Sequence, residues 1–131
     1  SLQAQIKCHF SAAPTVIYPR AYLENIFIHL LSNALKYSHP QRIPVIYVST
    51  EVTEGQTILK ISDNGIGIDM EKTGNNLFNL NRSISRDKET KGINLFIIKN
   101  QLEALGGKIA LESTPGKGTT FIINFGKSAK A

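Results

Sequence analysis

His29, Asn33 and Lys36 fall at i, i+4 and i+7 within one apolar-periodic stretch, so a helix there carries an imidazole, an amide and an ammonium along one side. Tyr37 follows at the end of the same stretch. These residues flank the apolar stripe, which places them along a cleft at the edge of a core. The carbonyl oxygen of an Asn side chain suits a Mg2+ ion that already holds phosphate oxygens. A lysine supplies a point charge for phosphate. The plainer account of the cluster is a helix end that happens to be polar.

A second group is Ile61-Ser62-Asp63-Asn64-Gly65-Ile66-Gly67-Ile68-Asp69. A carboxylate at the end of a strand is followed by two glycines, which let the backbone approach a ligand closely or take positive φ. A carboxylate there can accept a hydrogen bond from an exocyclic amine such as that of adenine. Taken alone, the same residues also read as an ordinary Asp-Asn-Gly turn.

The surrounding pattern must position these groups. Residues 2–10 alternate, with Leu2, Ala4, Ile6, Cys8 and Phe10 on one side, and predict a half-buried strand in which Cys8 is a small core residue; a reactive thiol is the alternative. Thr15 to Tyr18 suggests a short second strand. Residues 20–37 predict a helix whose stripe is Leu23, Ile26, Phe27, Leu30, Leu31, Ala34 and Leu35, stopped by Pro40. Val45 to Val52 and Thr57 to Ser62 read as strands joined through Glu54-Gly55. Residues 63–91 are polar and glycine-bearing without sustained periodicity, as functional or mobile loops are. A second helix is expected from Gly92 to Leu105, with Leu95, Ile98, Leu102 and Leu105 as its stripe and Gly106-Gly107 at its end. Ile93, Phe96 and Ile97 lie off that stripe, left to cover the loop or meet a partner. Lys108 to Ser113 and Thr119 to Phe125 close the chain as a hairpin across Pro115-Gly116-Lys117-Gly118. This order predicts an α+β fold, a two-layer α/β sandwich with helices on one face of a mixed, mostly antiparallel sheet.

Length and composition set the bounds. The 131 residues fit one domain, and 41% hydrophobic residues suffice for a single core. One cysteine excludes an internal disulfide. No apolar run approaches the roughly 20 residues that span a bilayer, although a domain cut from a membrane-anchored protein would look the same; the segment is expected to be cytoplasmic. The net charge of +5 comes from scattered lysines and arginines with no basic, aromatic-laced helix, which argues against nucleic acid and suits a polyphosphate ligand or an acidic partner.

Taken in order, the motifs resemble a known family. "HLLSNALKYS" (29–38) looks like the N box of the histidine-kinase ATPases, and "DNGIGI" (63–68) like the G1 box. "LFNLNRSIS" (77–85) resembles the F-box region, "KGINLFIIKNQLEALGGKI" (91–109) the G2 region and its helix, and "STPGKGTTFIINF" (113–125) the closing hairpin. The chain resembles the ATP-binding catalytic domain of sensor histidine kinases, of the GHKL superfamily with the Bergerat fold, over nearly its whole length.

The resemblance implies one domain over 1–131 with a mobile lid at about 69–91, binding ATP and Mg2+. Carried over, Asn33 would ligate Mg2+, Lys36 would contact phosphate and Tyr37 would lie near the sugar or base. Asp63 would read the adenine amino group, with Gly65 and Gly67 shaping the pocket and Ile66 and Ile68 beside the base. Phe78 and Arg82 would belong to the lid, with Arg82 a candidate phosphate contact. Gly92 would approach phosphate, and Thr119 would bind at the adenine end. The implied reaction moves the γ-phosphate to a histidine on a separate dimerisation domain, with a response regulator downstream. Such transfer is mostly positioning and charge neutralisation.

Two positions depart from the pattern. The G2 glycines correspond to Thr90, Gly92 and Asn94, so only the middle one remains. His29 stands where the family usually has Asn and where related ATPases have a carboxylate base. A neutral imidazole there could hold metal-bound water or phosphate, and a protonated one could only donate. The alternative function is accordingly a degenerate Bergerat-fold module with weak or no ATP binding that acts through protein contacts. A stand-alone serine kinase or ATPase of the same superfamily is a third reading.

Overall fold

In the computed structural model, residues 4–12, 16, 18–67 and 89–127 are described, the side chains of 89–94 and 127 excepted. Strand β1 is Gln5–His9, helix α1 Arg20–Lys36, strands β2 and β3 Val45–Thr53 and Gln56–Asp63, helix α2 Glu89–Ala104, and strands β4 and β5 Lys108–Thr114 and Gly118–Lys127. The strands form one sheet in the order β1-β2-β3-β5-β4. β1 runs parallel to β2, and the other three pairings are antiparallel. This is the expected α+β sandwich.

Period-two alternation explains the sheet's two faces. Ile46 and Val48 of β2, Leu59 and Ile61 of β3, and Phe121, Ile123 and Phe125 of β5 point to one side and are buried. Ile26, Leu30 and Ala34 of α1 and Leu95, Ile98 and Leu102 of α2 cover them in a single cluster. Burying an Ile or Leu side chain stabilises by about 1.5–3 kcal/mol relative to leaving it exposed, so this cluster is the main force holding the helices to the sheet. The opposite face carries Lys60 paired with Glu51 at 2.9 Å and Lys7 over the Tyr47 ring.

The helix ends follow local chemistry. Pro19 caps α1, its carbonyl accepting from Leu23 N–H, and the Tyr37 N–H closes the last turn on the Asn33 carbonyl. α2 ends where Gly106, at φ 87°, turns back and Gly107 N–H reaches the Leu102 carbonyl at 2.7 Å. α2 begins at Glu89, three residues ahead of the expected Gly92. Leu35 and Leu105 were expected in the stripes but are exposed, Leu35 in the last turn of α1 and Leu105 one residue past the end of α2. Of the strand expected over residues 15–18, residues 15 and 17 lie outside the described residues; Val16 has no regular structure and Tyr18 is in a bend.

β1 corrects the expectation for Cys8. Ile6 and Cys8 register with the buried Ile46 and Val48, so the alternation assigned the right face. Yet every residue of β1 is exposed, Cys8 included. α1 packs on α2 and β3, and α2 on β4, so the helical layer stops short of this edge strand. A thiol reagent should therefore titrate one equivalent per folded chain, at a rate close to that of the denatured chain. Strong protection in the folded state would return Cys8 to the core.

Candidate functional site

Asp63 is the last residue of β3, directly opposite Ile46 on one side and Thr119 on the other. Alternation puts its side chain on the helix-covered face, one step beyond the buried Ile61. Its Oδ1 accepts from the Gly65 N–H at 2.8 Å, an Asx-type turn that fixes the carboxylate as the strand ends. Thr119 is buried, and its hydroxyl lies 2.8 Å from that of Ser113 on β4.

The loop after β3 runs against the end of α1. Ile66 N–H donates to the Tyr37 carbonyl at 3.0 Å. Gly65 passes so close that a Cβ on it would collide with that same carbonyl, so the contact requires glycine. The Ile66 carbonyl accepts from Gly116 N–H at 2.7 Å, and Gly67, at φ 78°, lies against Thr114 at the end of β4. Asn64 ties the loop to a third element: its Oδ1 accepts from Val45 N–H at 2.9 Å and its Nδ2 donates to the Ile43 carbonyl at 3.1 Å.

The structure thus brings together Tyr37, Asp63, Gly65, Ile66, Gly67 and Thr119. Asn33 sits one turn back from Tyr37 on α1, and His29 one turn further. Asn33 is buried, at 8% exposure, and its Nδ2 has no hydrogen-bond partner among the described residues. An unpaired buried amide costs about 1–3 kcal/mol, a cost that a polar ligand removes. His29 is half-buried and Lys36 exposed. Burial pushes the Tyr37 phenol above its ordinary value of 10, so it stays neutral at physiological pH. Gly92 lies within α2, while Ile68, Phe78 and Arg82, and the lid region up to residue 88, lie outside the described residues. Sequence reasoning missed Asn64 and Gly118. Asn64 was visible within the Asp-Asn-Gly triplet, and Gly118 as the second glycine of the Pro-Gly-Lys-Gly turn.

Among the described residues no group of three or more His, Cys, Asp or Glu could hold a metal ion. An ion here would rest on Asn33 and on oxygens brought by a ligand, which is how Mg2+ is often bound beside phosphates. The Asn33 amide oxygen is the atom that could ligate such an ion, while its unpaired Nδ2 is a donor suited to an oxygen of the ligand.

A strand-end carboxylate is pinned by a glycine loop, and that loop packs on the end of a helix that carries a buried asparagine. The sequence matches the histidine kinase-, DNA gyrase B-, and HSP90-like ATPases over residues 19–128, and the chain belongs to that family. Within it, the chain is a domain of the histidine-kinase type. The sensor protein SrrB of Staphylococcus aureus is 32% identical over 113 residues, which cover 84% of this chain and 19% of SrrB. The chain therefore spans about a fifth of that relative's length. Full-length ShkA in complex with AMPPNP superposes with a TM-score of 0.78 at 20% identity, over 98% of this chain and 27% of ShkA. The mycobacterial sensor histidine kinase MprB gives 0.74 at 23% identity, over 95% of this chain and 85% of that one. No helix among the described residues is long and apolar enough to cross a membrane.

Proposed function

We propose that this chain is the catalytic domain of a two-component sensor histidine kinase, binding Mg-ATP and passing its γ-phosphate to a histidine on a separate dimerisation domain. The observation that carries this reading is Asp63: a carboxylate at the end of a core strand, oriented by Gly65 N–H, between hydrocarbon and a buried threonine. That setting suits an exocyclic amine on a flat apolar base. Thr119 stands beside it as a second polar group, and Ile66, Gly65 and Gly67 bound it.

Asn33 would hold Mg2+ through its amide oxygen, and the ion would neutralise phosphate charge. Lys36 adds a positive charge at the helix end, and His29 is within two turns to orient phosphate or water. In the transfer, an imidazole nitrogen of the acceptor attacks the γ-phosphorus, a P–N bond forms, the P–O bond to the β-phosphate breaks, and ADP leaves. Positioning the two reactants supplies most of the acceleration. The acceptor domain of the same kinase and a response regulator downstream are the partners this reading requires.

One observation favours the second reading, a degenerate module working through protein contacts. Thr90, Gly92 and Asn94 all fall within α2, with two side chains where the family has bare backbone. Calorimetric titration of the chain with ATP and Mg2+ separates the two. The expected dissociation constant is micromolar to millimolar, about −4 to −8 kcal/mol. No heat at millimolar nucleotide would establish the degenerate module instead.

A further inference from the structure

Arg42 lies in the connector between α1 and β2, and its guanidinium joins two loops far apart in sequence. Nη1 donates to the Asn64 carbonyl at 2.7 Å, and Nη2 donates to the Gly116 carbonyl. Both carbonyls sit where the chain leaves the sheet, Asn64 just after β3 and Gly116 in the turn between β4 and β5. A planar fork with donors at fixed spacing can hold two such acceptors at once; a lysine ammonium offers donors from a single point.

The two tethered loops flank the same side chain. Asn64 follows Asp63 in sequence. Gly116 precedes Gly118, whose α-carbon passes against the Asp63 carbonyl, and Thr119, which pairs with Asp63 across the ladder. The loops also bond directly, through Gly116 N–H and the Ile66 carbonyl. Arg42 therefore braces the spacing between the two walls beside Asp63 from outside the site. The bonds are exposed to solvent, so their contribution to overall stability is small. Their effect lies in geometry, since a recognition group held by a fixed shell binds without first being ordered.

We propose that Arg42 is a positioning residue for the base-recognition end of the site, acting through the loops that carry Asp63 and Thr119 without touching the nucleotide. The inference rests on the nucleotide-binding reading above. It predicts that Arg42→Ala weakens adenosine, ADP and ATP alike, about 3- to 10-fold each, while the denaturation midpoint barely moves. Amide hydrogen exchange at Gly116 and Ile66 should accelerate in the same variant without ligand. Arg42→Lys should recover only part of the affinity and part of the protection.

Other outcomes overturn it. Affinity lost for ATP but kept for adenosine would make Arg42 a direct phosphate contact. If wild-type binding is weakened by Asp63→Asn but indifferent to Arg42→Ala, the inference fails and the nucleotide reading stands. If the wild-type chain binds none of the three compounds, the nucleotide reading fails and takes this inference with it.

Discussion

Gly118→Ala is expected to cost about 2–4 kcal/mol of stability and to weaken nucleotide binding with it. Gly118 has φ 133°, a region that side-chain-bearing residues rarely enter, and a Cβ there would run into the Asp63 backbone carbonyl. That carbonyl and the Asn64 α-carbon beside it are backbone atoms, not flexible side-chain tips that can swing aside. Either the β4–β5 turn moves away from β3, or the end of β3 bends, and in both cases Asp63 and Thr119 lose their register. The Ser113 hydroxyl, which donates to the Gly118 carbonyl at 2.8 Å, loses its alignment too. Urea denaturation of Gly118→Ala beside Lys117→Ala makes the comparison. Lys117 is an exposed neighbour in the same turn, and its replacement should change stability by no more than about 0.5 kcal/mol. Equal midpoints for the two variants would mean that the turn is not clamped against β3.

The same geometry shows which parts of the molecule the sequence announces. Helix α1 was legible because Ile26, Leu30 and Ala34 recur at helical spacing, and β2, β3 and β5 because their apolar residues alternate. Those signals are local, repeated every few residues, and follow from which side meets water. β1 had the same alternation, and its faces came out as expected. Its burial did not, since Cys8 is covered only if a helix lies over that edge. No local pattern encodes how far the helical layer extends.

The site divides along the same line. Asp63 at a strand end, the two glycines after it, and Asn33 one turn before the end of α1 are readable from spacing. What fixes them is not. Asn64 reaches residues 19 and 21 positions away, and Arg42 joins residues 22 and 74 positions away. These contacts run between backbone groups at loops or strand ends and single side chains, so no periodicity reports them. Gly118 is an intermediate case. A Pro-Gly-Lys-Gly turn predicts positive φ somewhere within it, but only the packed sheet shows that this glycine lies against Asp63.

Asp63→Asn should weaken ATP binding by about 1–3 kcal/mol while leaving the fold intact. The substitution keeps size and keeps one oxygen. That oxygen is needed by the Gly65 N–H, which now bonds to Oδ1 at 2.8 Å, so the loop retains its turn. A carboxylate is an acceptor at both oxygens and can serve Gly65 and a ligand amine together. An amide holding Gly65 with its oxygen turns its NH2 towards the ligand, setting donor against donor where an adenine amino group would sit. The same reversal carries a second expectation. A purine bearing a carbonyl at that position meets a donor in the variant and a carboxylate in the wild type, so Asp63→Asn should narrow or invert the preference for ATP over GTP. Titration of both proteins with both nucleotides reads four affinities at once. A uniform loss for ATP and GTP would mean that Asp63 acts through the loop alone, and an unchanged ATP affinity would remove it from base recognition altogether.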